Sequence, residues 1–233
     1  MENYKRLNSF LLILFFGCAP SIYRETPGFI GVKNIENSKV EYFPQHTKNM
    51  GFPENFVPDL EEISKFESLE SLEISSPQFK DFSRLAKFKK LQYLNLNGTS
   101  ITSLEPIGEL QNLHSLILNE TATTDLTPIY NLKKITRLAL AKTAIIDLNF
   151  SKQFPELRHL DIRNTSISNL EPLVESKKLV DLQIGNTKVQ TLKPLYGLKD
   201  LTFLEIDGLE ISEEEIKSIR KKLPFLKIIQ RGR

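Results

Sequence analysis

The chain has 233 residues, 40% of them hydrophobic and 26% charged, with a formal net charge of +2 in which both signs are interspersed. That balance is the composition of an ordinary globular fold, and it holds no basic block long enough to track a phosphate backbone, so nucleic acid is not expected as a partner. One cysteine and three histidines (His46, His114 and His159) supply neither a disulfide framework nor a recurring set of metal ligands.

At the N-terminus, Lys5 and Arg6 precede residues 10–16, a run of seven apolar side chains, and then come Gly17 and Cys18. A bilayer-spanning helix needs about 20 residues, so 1–17 is expected to be a secretory signal rather than a membrane span. A lone cysteine directly after the apolar run, behind a small residue, resembles the lipobox of bacterial lipoproteins, although Phe15 stands where that box usually carries Leu. The resemblance implies lipidation of Cys18 and an exported protein held at a bacterial membrane, at the outer membrane or cell surface. The plainer alternative is an ordinary cleaved signal with an incidental cysteine. Residues 18–46 carry Pro20, Pro27, Gly28, Gly31 and Pro44 and no repeat. This stretch is expected to be a lipid-anchored tether, in which Phe29–Lys33 and residues 39–43 can pair as a short hairpin around Glu36, Asn37 and Ser38.

Residues 91–200 then repeat one message five times, with copies beginning at Leu91, Leu113, Ile135, Leu157 and Leu179, each 22 residues after the last. The core positions 1, 4, 6, 11 and 14 are set out in the first copy by Leu91, Leu94, Leu96, Ile101 and Leu104. The opening LxxLxL alternates apolar and polar side chains, the signal of a short strand with one face buried. Position 9 is threonine in every copy (Thr99, Thr121, Thr143, Thr165 and Thr187), and such a buried hydroxyl must bond to backbone of its own turn or of the adjacent coil. Pro106, Pro128, Pro172 and Pro194 then suit the start of a short helical or 3₁₀ turn. One unit buries too little to stand alone, so neighbouring units must cover its flanks as in a solenoid.

This pattern resembles the leucine-rich repeat, in the 22-residue form of the bacterial internalins. The resemblance implies an α/β fold: a right-handed curved solenoid with a parallel sheet on its concave face and short 3₁₀ or helical turns on its convex face. Internalin units usually carry Asn where this chain has Thr, and the residues after the repeats show neither a sortase-type signal nor an immunoglobulin-like domain. An internalin's role at a host receptor is therefore not carried over.

The register extends to both sides of the clean copies. Leu69, Leu72 and Ile74 open another unit in which Pro77 replaces the threonine, and the aromatic-rich 47–68 reads as an N-terminal cap coil. Repeats are expected over 69–222, closing with a helix over 212–222 that starts on the capping-box spacing Ser212 to Glu215. Leu223, Leu226 and Ile228 return to the 22-residue count, giving a terminal strand and basic tail over 223–233.

Positions 3, 5 and 7 of each unit face away from the leucines and build the concave surface. The candidate ligand-binding residues there are Tyr93, Asn95, Asn97, Arg137, His159, Asp161, Arg163, Asp181 and Phe203. Aromatic residues and arginine dominate binding hot spots, which favours recognition of a protein or an envelope or host glycan. The competing view is that the charged members are a solvated network of cross-strand ion pairs on a passive envelope scaffold. Counting by 22 also places Phe225 beside Phe203 as an aromatic end of this face, the plainer alternative being that Phe225 and Ile229 are buried beneath the C-terminal tail. An enzyme is not expected: His159 and Asp161 share a strand face without a serine or cysteine nucleophile, no Gly-rich phosphate loop occurs, and no cofactor is implied.

Overall fold

The structure is a computed structural model that describes residues 28–231, so Cys18, the signal segment and the start of the tether, up to residue 27, lie outside the described residues. A hairpin comes first, with β1 (Phe29–Lys33) antiparallel to β2 (Val40–Pro44). It is no free tether: Val32 is fully buried, and Phe43 meets Phe52 and Phe66 edge to face at centroid separations of 5.8 and 6.2 Å. The N-terminal cap therefore begins at the hairpin, because the apolar side of the first coil has no preceding coil to cover it.

Nine strands form one parallel sheet: β3 (Asn49–Phe52), β4 (Ser71–Ile74), β5 (Tyr93–Asn95), β6 (Ser115–Ile117), β7 (Arg137–Ala139), β8 (His159–Asp161), β9 (Asp181–Gln183), β10 (Phe203–Glu205) and β11 (Lys227–Ile229). They pair strictly in sequence order, as stacked coils require. Leu72, Leu94, Leu116, Leu138, Leu160, Leu182 and Leu204 stand opposite one another in one row. None of the seven is more than 1% exposed, so the 22-residue leucine spacing becomes a continuous buried ladder. Each threonine of position 9 donates to the carbonyl three residues back in its own turn, at 2.6–2.8 Å, and not to the adjacent coil. In the second copy the core position 11 is Thr123, fully buried and bonded to Thr121 at 3.1 Å.

In the coils of β5 to β10, just after the strand, the chain passes through left-handed backbone once per coil. Gly98, Glu120, Lys142, Asn164, Asn186 and Gly208 have φ of 70, 58, 55, 56, 54 and 74°. Gly and Asn take this conformation readily; at Glu120 and Lys142 the coil geometry imposes it on side chains that disfavour it. On the convex side, α1 (Leu60–Ile63), α2 (Glu105–Gly108) and 3₁₀ turns return the chain to the next strand. Most of these turns are capped by a side chain two residues ahead of an N–H: Asp125 Oδ1 accepts from Thr127 at 2.8 Å, Asp147 from Asn149 at 2.8 Å and Asn169 from Glu171 at 2.9 Å. Gly108 has no Cβ because one there would strike the carbonyl oxygen of Pro128 in the neighbouring turn.

The array closes with α3 (Glu213–Lys222), whose Ser212 cap accepts from Glu215 N–H at 3.2 Å. Glu215 does not complete a reciprocal box; its Oε1 accepts from the Thr191 hydroxyl and from Leu192 N–H, at 2.6 and 2.5 Å, tying helix to preceding coil. Ten helical residues in place of a short turn lengthen the last coil, and Phe203 pairs with Lys227, a step of 24 rather than 22. The terminal 22-residue count is thereby corrected. Lys227 and Ile229 continue the rows of Phe203 and Glu205, and Phe225 sits in the preceding loop, 89% exposed rather than covered by the tail. Among the described residues no helix is long and apolar enough to cross a membrane.

Candidate binding surface

The concave face has a recessed floor and higher shoulders. Position 5 is the floor, where Asn95, Ala139, Asp161 and Glu205 are all under 10% exposed. Position 3 stands half-buried: Tyr93, Ser115, Arg137, His159, Asp181 and Phe203 follow one another on adjacent strands.

Several floor residues have a structural task that spacing alone did not reveal. At position 7 the strand ends, and a side chain takes up its N–H. Asn95 Oδ1 accepts from Asn97 N–H at 2.9 Å, and Asp161 Oδ1 from Arg163 N–H at 3.1 Å. Where position 5 is Ala139, Asn119 of the preceding strand accepts from Ala141 N–H instead, at 2.8 Å. Glu205 serves two strands, accepting from Gly185 N–H at 3.0 Å and Asp207 N–H at 3.2 Å. Gly185 makes room for that carboxylate, which a Cβ at 185 would collide with. Burial pushes the Glu205 carboxyl above the ordinary carboxylate range, against the pull of the two N–H bonds. For Asn97, Arg163 and Asp207 the signal in sequence was the polar residue two places before the N–H, the same spacing as the convex caps.

Arg163 folds back on its own strand: Nε and Nη2 donate to the two oxygens of Asp161 at 2.9 and 2.7 Å. The bond to Asp161 raises the guanidinium's pKa further. This bidentate pair lies within β8 and its exit, not between strands as expected for a cross-strand network. Asn95 also donates to Glu73 Oε1 at 2.6 Å. Of the nine nominated residues, Asn95, Asp161 and Arg163 are therefore engaged with neighbouring side chains or with backbone.

The position-3 row is different. Among the described residues Arg137 forms no ion pair. Its neighbours on both sides hold buried polar atoms without a hydrogen-bond partner, Ser115 Oγ on β6 and His159 Nδ1 on β8. The nearest carboxylate to that imidazole, Asp181 Oδ2, is 3.7 Å away, beyond hydrogen-bond length, and Gln183 donates to Asp181 at 3.3 Å. Tyr93, two strands from Arg137, has its phenol pKa raised by burial and then by Glu73. Phe203 completes the row at the other end, so an unpaired guanidinium lies between two aromatic side chains. Among the described residues no group of three or more His, Cys, Asp or Glu is placed to hold a metal ion.

No family model and no curated protein matches the chain. Solved structures do. An internalin of Listeria monocytogenes superposes with a TM-score of 0.66 at 25% identity over 75% of this chain and 51% of its own. An internalin C2 of the same organism gives 0.71 at 24% identity, covering 82% and 85%. A leucine-rich repeat protein of Leptospira interrogans gives 0.55 at 25% identity, covering 79% and 53%. The chain thus spans about half the length of two of these proteins. Its fold is the leucine-rich repeat solenoid of these bacterial proteins.

Proposed function

We propose that the chain is a non-enzymatic, exported binding module whose concave face holds a protein ligand, and that lipid on Cys18 anchors it to the bacterial envelope. The observation that carries the binding role is the position-3 row: Arg137 without an acidic partner, flanked by the partnerless Ser115 Oγ and His159 Nδ1. Unsatisfied polar atoms cost stability when left alone and are satisfied when a partner supplies donors and acceptors. Tyr93, Arg137 and Phe203 are the anchor types such an interface uses, and the open face favours a protein segment over an enclosed small molecule.

The experiment compares ligand capture by wild type with Arg137→Ala, Tyr93→Ala and Phe203→Ala. Capture is expected to fall at least tenfold for Arg137→Ala with the thermal midpoint unchanged, since the side chain is half exposed. Loss of stability with capture intact favours the second reading, a passive envelope scaffold, which the self-paired Asp161 and Arg163 support. For the anchor, Cys18→Ser is expected to release the chain from the membrane fraction; unchanged fractionation removes lipidation from the proposal.

A further inference from the structure

Lysines on the folded surface are concentrated along one flank. Lys89, Lys133, Lys177 and Lys221 recur at intervals of 44 residues, each followed directly by a second lysine. Two coils of 22 make that interval, so the first three pairs occupy alternate coils, just ahead of β5, β7 and β9; the fourth pair ends α3 in the lengthened last coil, further ahead of β11. All eight side chains are exposed.

Bonds from coil to coil make this flank one continuous face. Lys89 Nζ reaches Glu109 Oε2 at 3.0 Å, Lys134 Nζ reaches Asn112 Oδ1 at 2.8 Å, and Lys133 Nζ reaches the Gln153 carbonyl at 3.0 Å. Lys178 Nζ meets Glu156 Oε1 at 2.6 Å, and Lys199 of an intervening coil meets the Lys222 carbonyl at 3.4 Å. At a strand spacing of about 4.8 Å, successive pairs are roughly 10 Å apart and the row is about 29 Å long. Within it only Lys89 and Lys178 form ion pairs with carboxylates, both between exposed groups. Such pairs are worth little and exchange readily for a competing anion. The other hydrogen-bond partners named above are neutral oxygens, which leave the ammonium charge uncompensated.

We propose that this flank binds a linear polyanionic glycan, bearing sulfate or carboxylate groups along its length, laid across the coils. The row is long and only two residues wide, which matches a chain-like anion better than a planar lipid surface. Lysine ammoniums are point charges on flexible stems and accept sulfate or carboxylate without fixed geometry. No exposed aromatic ring interleaves the first three pairs, so the stacking platform of a single-stranded nucleic-acid site is missing. The flank is separate from the concave row and stands whether or not that row binds a protein.

The test is retention of the purified full chain on immobilised dextran sulfate, with neutral dextran as control, as salt is raised. Wild type is expected to bind only the sulfated resin. The variant Lys133→Ser/Lys134→Ser/Lys177→Ser/Lys178→Ser is expected to elute at lower salt, its slope of log affinity against log salt falling by about one unit per lysine lost. A control removing the same charge elsewhere, Lys39→Ser/Lys80→Ser/Lys188→Ser/Lys193→Ser, is expected to behave as wild type. Equal losses in both quadruple variants, or no retention at about 0.15 M salt, overturns the proposal. So does flank-dependent binding to phosphatidylserine vesicles without binding to dextran sulfate, which assigns the lysines to a lipid surface.

Discussion

The two ends of the solenoid meet the same physical problem by different means. A middle coil is covered on both sides, whereas a terminal coil has one neighbour and must hide its other side against something else. At the N-terminal end that cover is a cluster of aromatic rings: Phe52 stacks on Phe56 at 5.0 Å, and Phe43 from the hairpin meets Phe52 and Phe66. Asn34, 1% exposed, ties hairpin to coil by donating to the Asn55 carbonyl at 3.2 Å and accepting from Glu36 and Val57 N–H. At the C-terminal end the cover is local. Helix α3 lays Ile219 and Leu223 on the core, Gln230 donates to the Leu209 carbonyl at 3.2 Å, and Phe225 is left in solvent. One end is thus covered by aromatic rings gathered from a hairpin and the first coil, and the other by a capped helix bonded back to the preceding coil.

Breaking the N-terminal cluster has the largest expected effect. Phe66→Ala is expected to cost about 3–5 kcal/mol in chemical denaturation, because it removes a large, 2% exposed ring on which Phe43 of the hairpin packs edge to face. A cost below about 1 kcal/mol means the hairpin is not part of the cap. Asn34→Ala comes next, at about 1–3 kcal/mol, since it leaves buried N–H and carbonyl groups unpaired.

A pH experiment sharpens the contrast from the C-terminal half. Glu205 has a folded pKa raised by burial, so the folded chain binds its proton more tightly than the unfolded chain. Its ionisation destabilises the fold at neutral pH, and stability is expected to rise as pH falls through the folded value, levelling off below the unfolded value near 4.5. Asp81 and Asp125 have lowered values, the first through the Ser83 hydroxyl and the second through Thr127 N–H. Their stabilisation is present above the unfolded value of 3.8 and is lost as pH falls through their folded values. Thermal midpoints measured from pH 7 downward should therefore climb in wild type and climb less in Glu205→Gln; parallel curves remove this role from Glu205. The smallest effect is expected for Phe225→Ser, within about 0.5 kcal/mol, because that ring is 89% exposed. A larger loss shows that the C-terminal end is covered by contacts other than those of α3.

Legibility in sequence followed the range of the interaction. The leucine ladder, the threonine column and α3 were readable because each repeats at fixed spacing or forms within one turn of chain. The hairpin's strands were readable too, but its attachment to the first coil was not, since Phe43, Phe52 and Phe66 belong to no common period. On the concave face the rows were legible and the division of labour within them was not. Asp161 and Arg163 looked like recognition residues, and folding shows them spending their hydrogen bonds on each other and on backbone. Arg137 stands in the position-3 row and has an alanine two places on, at the position where β8 carries Asp161.

What the sequence alone determined is the coil: a buried side chain returning every 22 residues can be covered only by its own copies, so strand order, register and the free face follow from spacing. Tertiary structure decided what spacing does not encode. The ten-residue α3 shifted the last register to 24, coil geometry forced Glu120 and Lys142 into left-handed backbone, and stacking brought lysine pairs 44 residues apart onto one flank. The physical reason is the same in each case: these outcomes depend on which groups become neighbours across coils, and that is settled only when the chain closes on itself.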